Sequence, residues 1–177
     1  MKDRRGFTLI EIMIVIAIVA IVGMIATSNL QLWRSHYSAV GFQREFLSQV
    51  NQARTRTMAT SLQHRLLIDT SGETVTLQRG SLNNASSWTN VAQPIAGSRG
   101  AGILDVVCTP SPATAVQPIF ALLFNPNGEV LVQSSSTATT ASPLTEADVH
   151  ITATNVADQA TIRVFGWTSK ARLVNGW

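Results

Sequence analysis

The chain contains one cysteine, Cys108, so an intramolecular disulfide is excluded and packing with strand pairing must hold the fold. Cys108 closes the apolar run Ile103-Leu104-Asp105-Val106-Val107 and reads as a small buried hydrophobe. Charge is scarce too, at 13% of 177 residues, which is low for a soluble domain. No proline occurs before Pro94, so nothing of that kind interrupts a long helix in the first half. There is no Gly-rich phosphate loop, which excludes a motor ATPase. His36, His64 and His150 have no metal-like spacing and no cysteine or carboxylate cluster beside them. The serines fall in loops and not in a nucleophile turn. No catalytic residue, metal or cofactor is therefore expected.

What is present is apolar. Hydrophobic residues make up 45% of the chain, enough for one domain with a core, and much of the excess lies between Phe7 and Ala26. The net charge of +3 is equally uneven, because Lys2, Arg4 and Arg5 against Asp3 give the first six residues a local +2. From Ile12 to Trp33, 22 residues, there is no charge. At ~1.5 Å per residue such a helix spans roughly the ~30 Å hydrocarbon core of a bilayer. The preceding basic residues place the N-terminus in the cytoplasm and the bulk of the chain beyond the inner membrane.

Three readings of this segment compete. A secretory signal would be shorter and would be followed by a small-residue cleavage site. A plain anchor needs no particular residues. Glu11 favours the third reading. A carboxylate within a membrane segment costs ~2.5–3.5 kcal/mol. Cleavage after Gly6 would offset this by creating a cation, the amino group of Phe7, at nearly the same depth. In a staggered stack of helices, Glu11 of one subunit could pair with the Phe7 amine of its neighbour and so set axial register.

The string Arg5-Gly6-Phe7-Thr8-Leu9-Ile10-Glu11 closely resembles the type IV prepilin motif. That resemblance implies cleavage between Gly6 and Phe7 by a prepilin peptidase, N-methylation of Phe7 by the same enzyme, and subunit docking through Glu11. It also implies an extended helix whose first half packs in a filament core. The sequence departs from many pilins at Ser28-Asn29, where they carry a proline. Gly23 and Gly41 are the candidate softening residues here.

Phe42, Phe46, Val50 and Ala53 recur at helical period, so the helix is expected to run from about Thr8 to about Thr60. Arg44, Arg54 and Arg56 are expected on its wet face. Strand patterns follow. Leu66 and Ile68 pair with Val75 and Leu77 across Asp69-Thr70-Ser71-Gly72. Residues 81–102 read as a loop with a short strand near Val91, and Ile103 to Cys108 as a buried strand. Asn125-Pro126-Asn127-Gly128 joins a hairpin of Ile119–Phe124 with Glu129–Val132. Ser134 to Thr145 reads as a mobile loop. Val149–Ala153, Thr161–Phe165 and Ser169–Val174 complete the strands.

The fold class is thus α+β, a long N-terminal helix packed on a C-terminal antiparallel sheet domain. The divisions are a leader at 1–6, a transmembrane and filament-core helix at 7–28, its amphipathic half at 29–61 and a periplasmic head at 62–177. This plan resembles the GspH/FimT family of minor pilins and pseudopilins. The resemblance rests on Gln52-Ala53-Arg54, on Phe124-Asn125-Pro126-Asn127-Gly128 and on a basic last strand. It implies other pilins or pseudopilins as partners, the inner membrane before assembly, and then a place near a filament tip. FimT-type members bind DNA through Gly-Arg-x-Arg in the last strand. Ser169-Lys170-Ala171-Arg172 stands in that place. Lys170, Arg172 and Arg163 on the neighbouring strand are therefore candidate phosphate contacts, against the alternative of a solvated sheet edge. The functional alternatives are an H-type pseudopilin of a type II secretion system and, remotely, a membrane-tethered periplasmic enzyme.

Overall fold

The computed structural model describes residues 8–80, 87–98, 100–112 and 118–177, except for the side chains of residues 25–29 within the helix. Two compact units divide the chain at Arg34/Ser35.

Helix α1 spans Leu9–Thr60. Thr8 caps it: the Glu11 amide donates to Thr8 Oγ1 at 3.3 Å, satisfying one of the free N–H groups of the first turn. Beyond Thr60 the chain turns at Ser61 with φ 55°. In the first unit the described large apolar side chains of α1, from Leu9 to Met24 and at Leu30, Leu32 and Trp33, are exposed.

The second unit has one core. The α1 stripe Ala39, Phe42, Phe46, Val50 and Ala53 is buried. Arg44 is exposed as expected, whereas Arg54 and Arg56 are half-buried. The strands form two antiparallel sheets rather than one. The first contains β1 (His64–Asp69), β2 (Thr74–Gly80), β3 (Trp88–Asn90), β4 (Ile95–Ala96), β6 (Ile119–Phe124), β7 (Val130–Gln133) and β8 (Ser142–Pro143), in the order β3-β2-β1-β6-β7-β8 with β4 also on β2. The second is β11-β10-β9-β5, from β5 (Gly102–Thr109), β9 (Glu146–Thr152), β10 (Ala160–Phe165) and β11 (Ala171–Asn175). Inward residues of both sheets, among them Leu66, Phe120, Leu122, Val149 and Ile162, join the helix stripe in the same cluster.

The expected hairpins are present. Leu66 faces Leu77, and Ile68 faces Val75, in β1–β2. The second turn closes through Gly128 N to Asn125 O and Asn125 N to Glu129 O, both 2.9 Å, with Gly128 at φ 88°. A glycine relieves the Cβ clash that this left-handed conformation imposes.

Two expectations are corrected. Strand β5 is an edge strand with Leu104 51% and Val107 50% exposed, because among the described strands only β9 pairs with it and a register shift lies between Ile103 and Asp105. The segment Ser134 to Thr145 is not free. Arg65 Nη1 donates to Ser136 O at 3.1 Å, Gln133 Nε2 donates to Ala138 O at 3.0 Å, and β8 pairs with β7. The loop reading of residues 81–102 falls partly outside the described residues. Its described part holds β3 and β4.

The sheets are joined at Gly166. Its carbonyl accepts from Val130 N at 2.6 Å, and its N–H donates to Thr145 O at 2.7 Å.

Candidate functional site

The expected assembly site begins in the leader, and Gly6 and Phe7 lie outside the described residues. Glu11 lies within them, exposed in the first turn of α1. Thr8 and Glu11 have the spacing of a capping box, in which a carboxylate at the third helical position also favours the positive end of the helix. Glu11 thus has a local task besides the docking role that the prepilin resemblance implies.

Around Glu11 the helix is apolar on every side. Leu9, Ile12, Ile14, Ile16, Val19, Ile21 and Met24 are all exposed. A helix that is hydrophobic all round requires an apolar surrounding, either lipid or other helices. Among the described residues, no helix is long and apolar enough to cross a membrane.

The basic C-terminal residues do not act as one group. Arg163 is opposite Asp148 in the β9–β10 register. Its Nε donates to Asp148 Oδ1 at 2.7 Å, its Nη2 donates to Asp148 Oδ2 at 2.6 Å, and Glu146 lies 3.8 Å away. The hydrogen bonds to Asp148, then its charge, raise the Arg163 pKa further. A guanidinium bound in this bidentate way is engaged rather than offered to phosphate. Arg172 lies opposite Arg163, and its guanidinium carbon sits 5.6 Å from the Phe165 ring centre. Lys170 precedes β11 and is exposed. Ser169, where the family motif has glycine, has φ 49° and is buried. Trp167 is in the turn and 72% exposed.

The histidines serve the fold. His36 Nδ1 is 2.6 Å from Asp158 Oδ1, and His150 Nδ1 is 2.5 Å from Asp105 Oδ1. No cluster of three or more metal-ligating side chains occurs among the described residues. Burial raises the Cys108 thiol to about 11, consistent with its expected place in the core.

His64 is buried between α1 and β1. Its Nδ1 lies 3.1 Å from Leu62 O and 3.2 Å from Thr57 Oγ1. The Leu62 carbonyl can only accept, so Nδ1 carries the proton of the neutral ring. Burial lowers the His64 pKa, with Arg56 and Arg79 adding to the effect and the Leu62 bond opposing it. The unfolded chain therefore takes up a proton first. The stability that His64 contributes is complete above its ordinary pKa of ~6.5 and is lost as pH falls from there toward its lowered folded pKa. Thermal melts of the full chain in mild detergent at pH 7.5 and 5.5 should show this loss. It should be smaller in His64→Gln, and an unchanged pH difference in the variant would remove His64 as the cause.

Comparisons with known proteins bear on the N-terminal segment and on the fold. Residues 1–27 match the family described as the prokaryotic N-terminal methylation motif. No curated protein sequence matches the chain. Among solved structures, the minor pseudopilin EpsH from the type 2 secretion system of Vibrio cholerae is similar in fold, with a TM-score of 0.51 at 14% identity. The similarity covers 77% of this chain and 94% of that one. A prokaryotic N-terminal methylation motif, residues 1–27, is thus joined in sequence to an α+β fold similar to that of a minor pseudopilin.

Proposed function

We propose that this chain is a minor subunit of a type IV pilus-like filament, held in the inner membrane with its head in the periplasm until assembly. Its role is to initiate or cap the filament. The carrying observation is the helix apolar on all sides from Leu9 to Met24, interrupted only by Glu11 and lying within the methylation motif matched at residues 1–27. Such a surface is stable only among lipids or like helices, and Glu11 supplies the one polar contact that can fix their register. The partners are a prepilin peptidase and other pilins or pseudopilins, engaged through this helix. The role is structural and involves no turnover.

The fold similarity to EpsH favours a second reading, an H-type pseudopilin of a secretion system. DNA contact has less support. Arg163 is paired, and Glu146 and Asp148 share its face, so only Lys170 and Arg172 remain for phosphates.

Co-expression with a prepilin peptidase should remove six residues and add one methyl group at Phe7, and Gly6→Leu should block both changes. Intact mass checks this. Assembled protein that retains Met1 would falsify the pilin reading.

A further inference from the structure

The chain enters the second unit at Ser35, just after the uncharged run that ends at Trp33. Hydrogen bonds gather several segments around this point. His36 Nδ1 lies 2.6 Å from Asp158 Oδ1, and Gln43 Nε2 donates to Asp158 O. Ser38 Oγ donates to Ser98 O at 2.8 Å. Next to Asp158, Gln159 O accepts from Gly176 N at 2.9 Å, and Thr161 Oγ1 donates to Gly176 O at 2.8 Å. The start of β5, the end of β9, the start of β10 and the end of β11 meet at this end of the second sheet, since Gly102 pairs with Thr152, and Ala160 with both Ile151 and Asn175.

Large apolar and aromatic side chains are exposed here. Val156, in the short 3-10 helix Val156–Asp158, is 75% exposed. Tyr37 follows His36 and is exposed, and so is Leu104 at the register shift of β5. Trp177 rests on His150, with ring centres 5.3 Å apart, and is still 53% exposed. Two nearby carboxylates are engaged, Asp158 by His36 and Asp105 by His150. Glu73, whose carboxylate lies against Gly102, is exposed.

Single apolar residues on a surface need no explanation. These four lie within a residue or a strand rung of the bonds that join Asp158 to His36 and Gln159 to Gly176, at the place where the chain leaves its long uncharged run. Tyrosine and tryptophan favour the boundary between hydrocarbon and headgroups, where the ring is shielded and its polar edge stays wet. A carboxylate resists transfer deeper than that, so Glu73 confines any lipid contact to headgroup level. The other end of the β10–β11 hairpin supplies a comparison. Trp167 is also exposed, but β10 runs Ala160–Phe165, which at ~3.3 Å per residue sets Trp167 roughly 17 Å or more from this end.

We propose that this end of the second unit, through Tyr37, Leu104, Val156 and Trp177, rests on the headgroup layer of the membrane that holds the helix. The inference depends on the membrane reading of the helix given above. It adds a second lipid contact, made by the head itself, which must be given up when the subunit leaves the membrane for the filament.

The test uses the full chain in vesicles of phosphatidylcholine and phosphatidylglycerol, some of whose headgroups carry a nitroxide that quenches indole emission at short range. Three single-tryptophan forms are compared, with the other tryptophans changed to phenylalanine. One keeps Trp177, one keeps Trp167, and one carries Ile16→Trp inside the apolar run. Trp177 is expected to lose about half of its emission or more, as an indole at headgroup level should, and Trp167 to lose little. Val156→Glu should cut the quenching of Trp177 by about twofold or more without shifting the thermal midpoint, since residue 156 is exposed and a carboxylate opposes the contact. If Ile16→Trp is quenched while Trp177 and Trp167 respond alike, the helix is in lipid and the head stands clear, which overturns this proposal alone. If Ile16→Trp is not quenched, the membrane reading fails and this proposal with it. Unchanged quenching in Val156→Glu also overturns it. So does cross-linking of Val156→Cys to itself in place of Trp177 quenching, which would assign the face to a second copy of the chain.

Discussion

Glu11→Gln is expected to reduce the amount of this chain recovered in sheared filaments by roughly a hundredfold or more. The magnitude follows from the ~3–5 kcal/mol lost when one partner of a desolvated ion pair is removed and the other charge stays behind. Glutamine is more informative than alanine here. Glu11 also sits at the third position of the capped first turn, with its amide bonded to Thr8 Oγ1 at 3.3 Å. Glutamine can serve a capping box almost as well as glutamate, whereas alanine cannot. A defect in both variants therefore assigns the loss to charge. A defect confined to Glu11→Ala would assign it to the helix start and defeat the pairing idea. Quantitative immunoblots of the membrane and filament fractions read both outcomes, and normal membrane levels show that insertion is intact.

Gly166→Ala should lower stability by about 3 kcal/mol or more, or on the order of 10 °C in the midpoint of a thermal melt. An added Cβ at residue 166 would lie 1.8 Å from Leu144 O and 2.7 Å from Leu144 C. Both obstacles are backbone atoms, so no side-chain rotation relieves the contact. The displacement would also disturb the bonds from Val130 N and to Thr145 O that join the sheets. Gly41→Ala is the matched control. Nothing lies within 4 Å of its added Cβ, and its place in the exposed interior of α1 should gain ~0.5–1 kcal/mol. A neutral Gly166→Ala would show that this junction tolerates a shift of the Leu144 carbonyl.

Much of the fold could be read from periodicity. The four-residue steps from Phe42 to Val50 gave the buried stripe of α1 its place. The Asn125–Gly128 turn gave a hairpin its ends, because those residue types carry backbone constraints of their own. Partition into two sheets could not be read in this way. Strand β5 chooses β9, and β1 chooses β6, across separations that no local pattern encodes. The edge position of β5 follows from that choice, and so does the exposure of Val107.

The polar residues show the same limit. Arg163 alternates with Ile162 and Val164, so its face was legible, but its Asp148 partner comes from the register between β9 and β10. Arg65 gave no signal. An arginine in a short strand reads as solvent-facing, and the groups that bury it, Trp88, Gln133 and Ser136, arrive from distant parts of the chain. Glu11 stood out for the opposite reason. Its surroundings are local and uniformly apolar, so the anomaly is visible without a structure.

The seat of α1 in the second unit also bears on how that unit resists force. Phe42, Phe46, Val50 and Ala53 lie along one line, and residues of both sheets press on it. Tension entering along this stretch of helix would load those contacts together in shear. Strand β11 is different, because among the described strands it is the outermost of its sheet and pairs only with β10. A pull on Trp177 would open that ladder one rung at a time. The unit should thus hold against a load carried by its helix and peel readily from its C-terminal end.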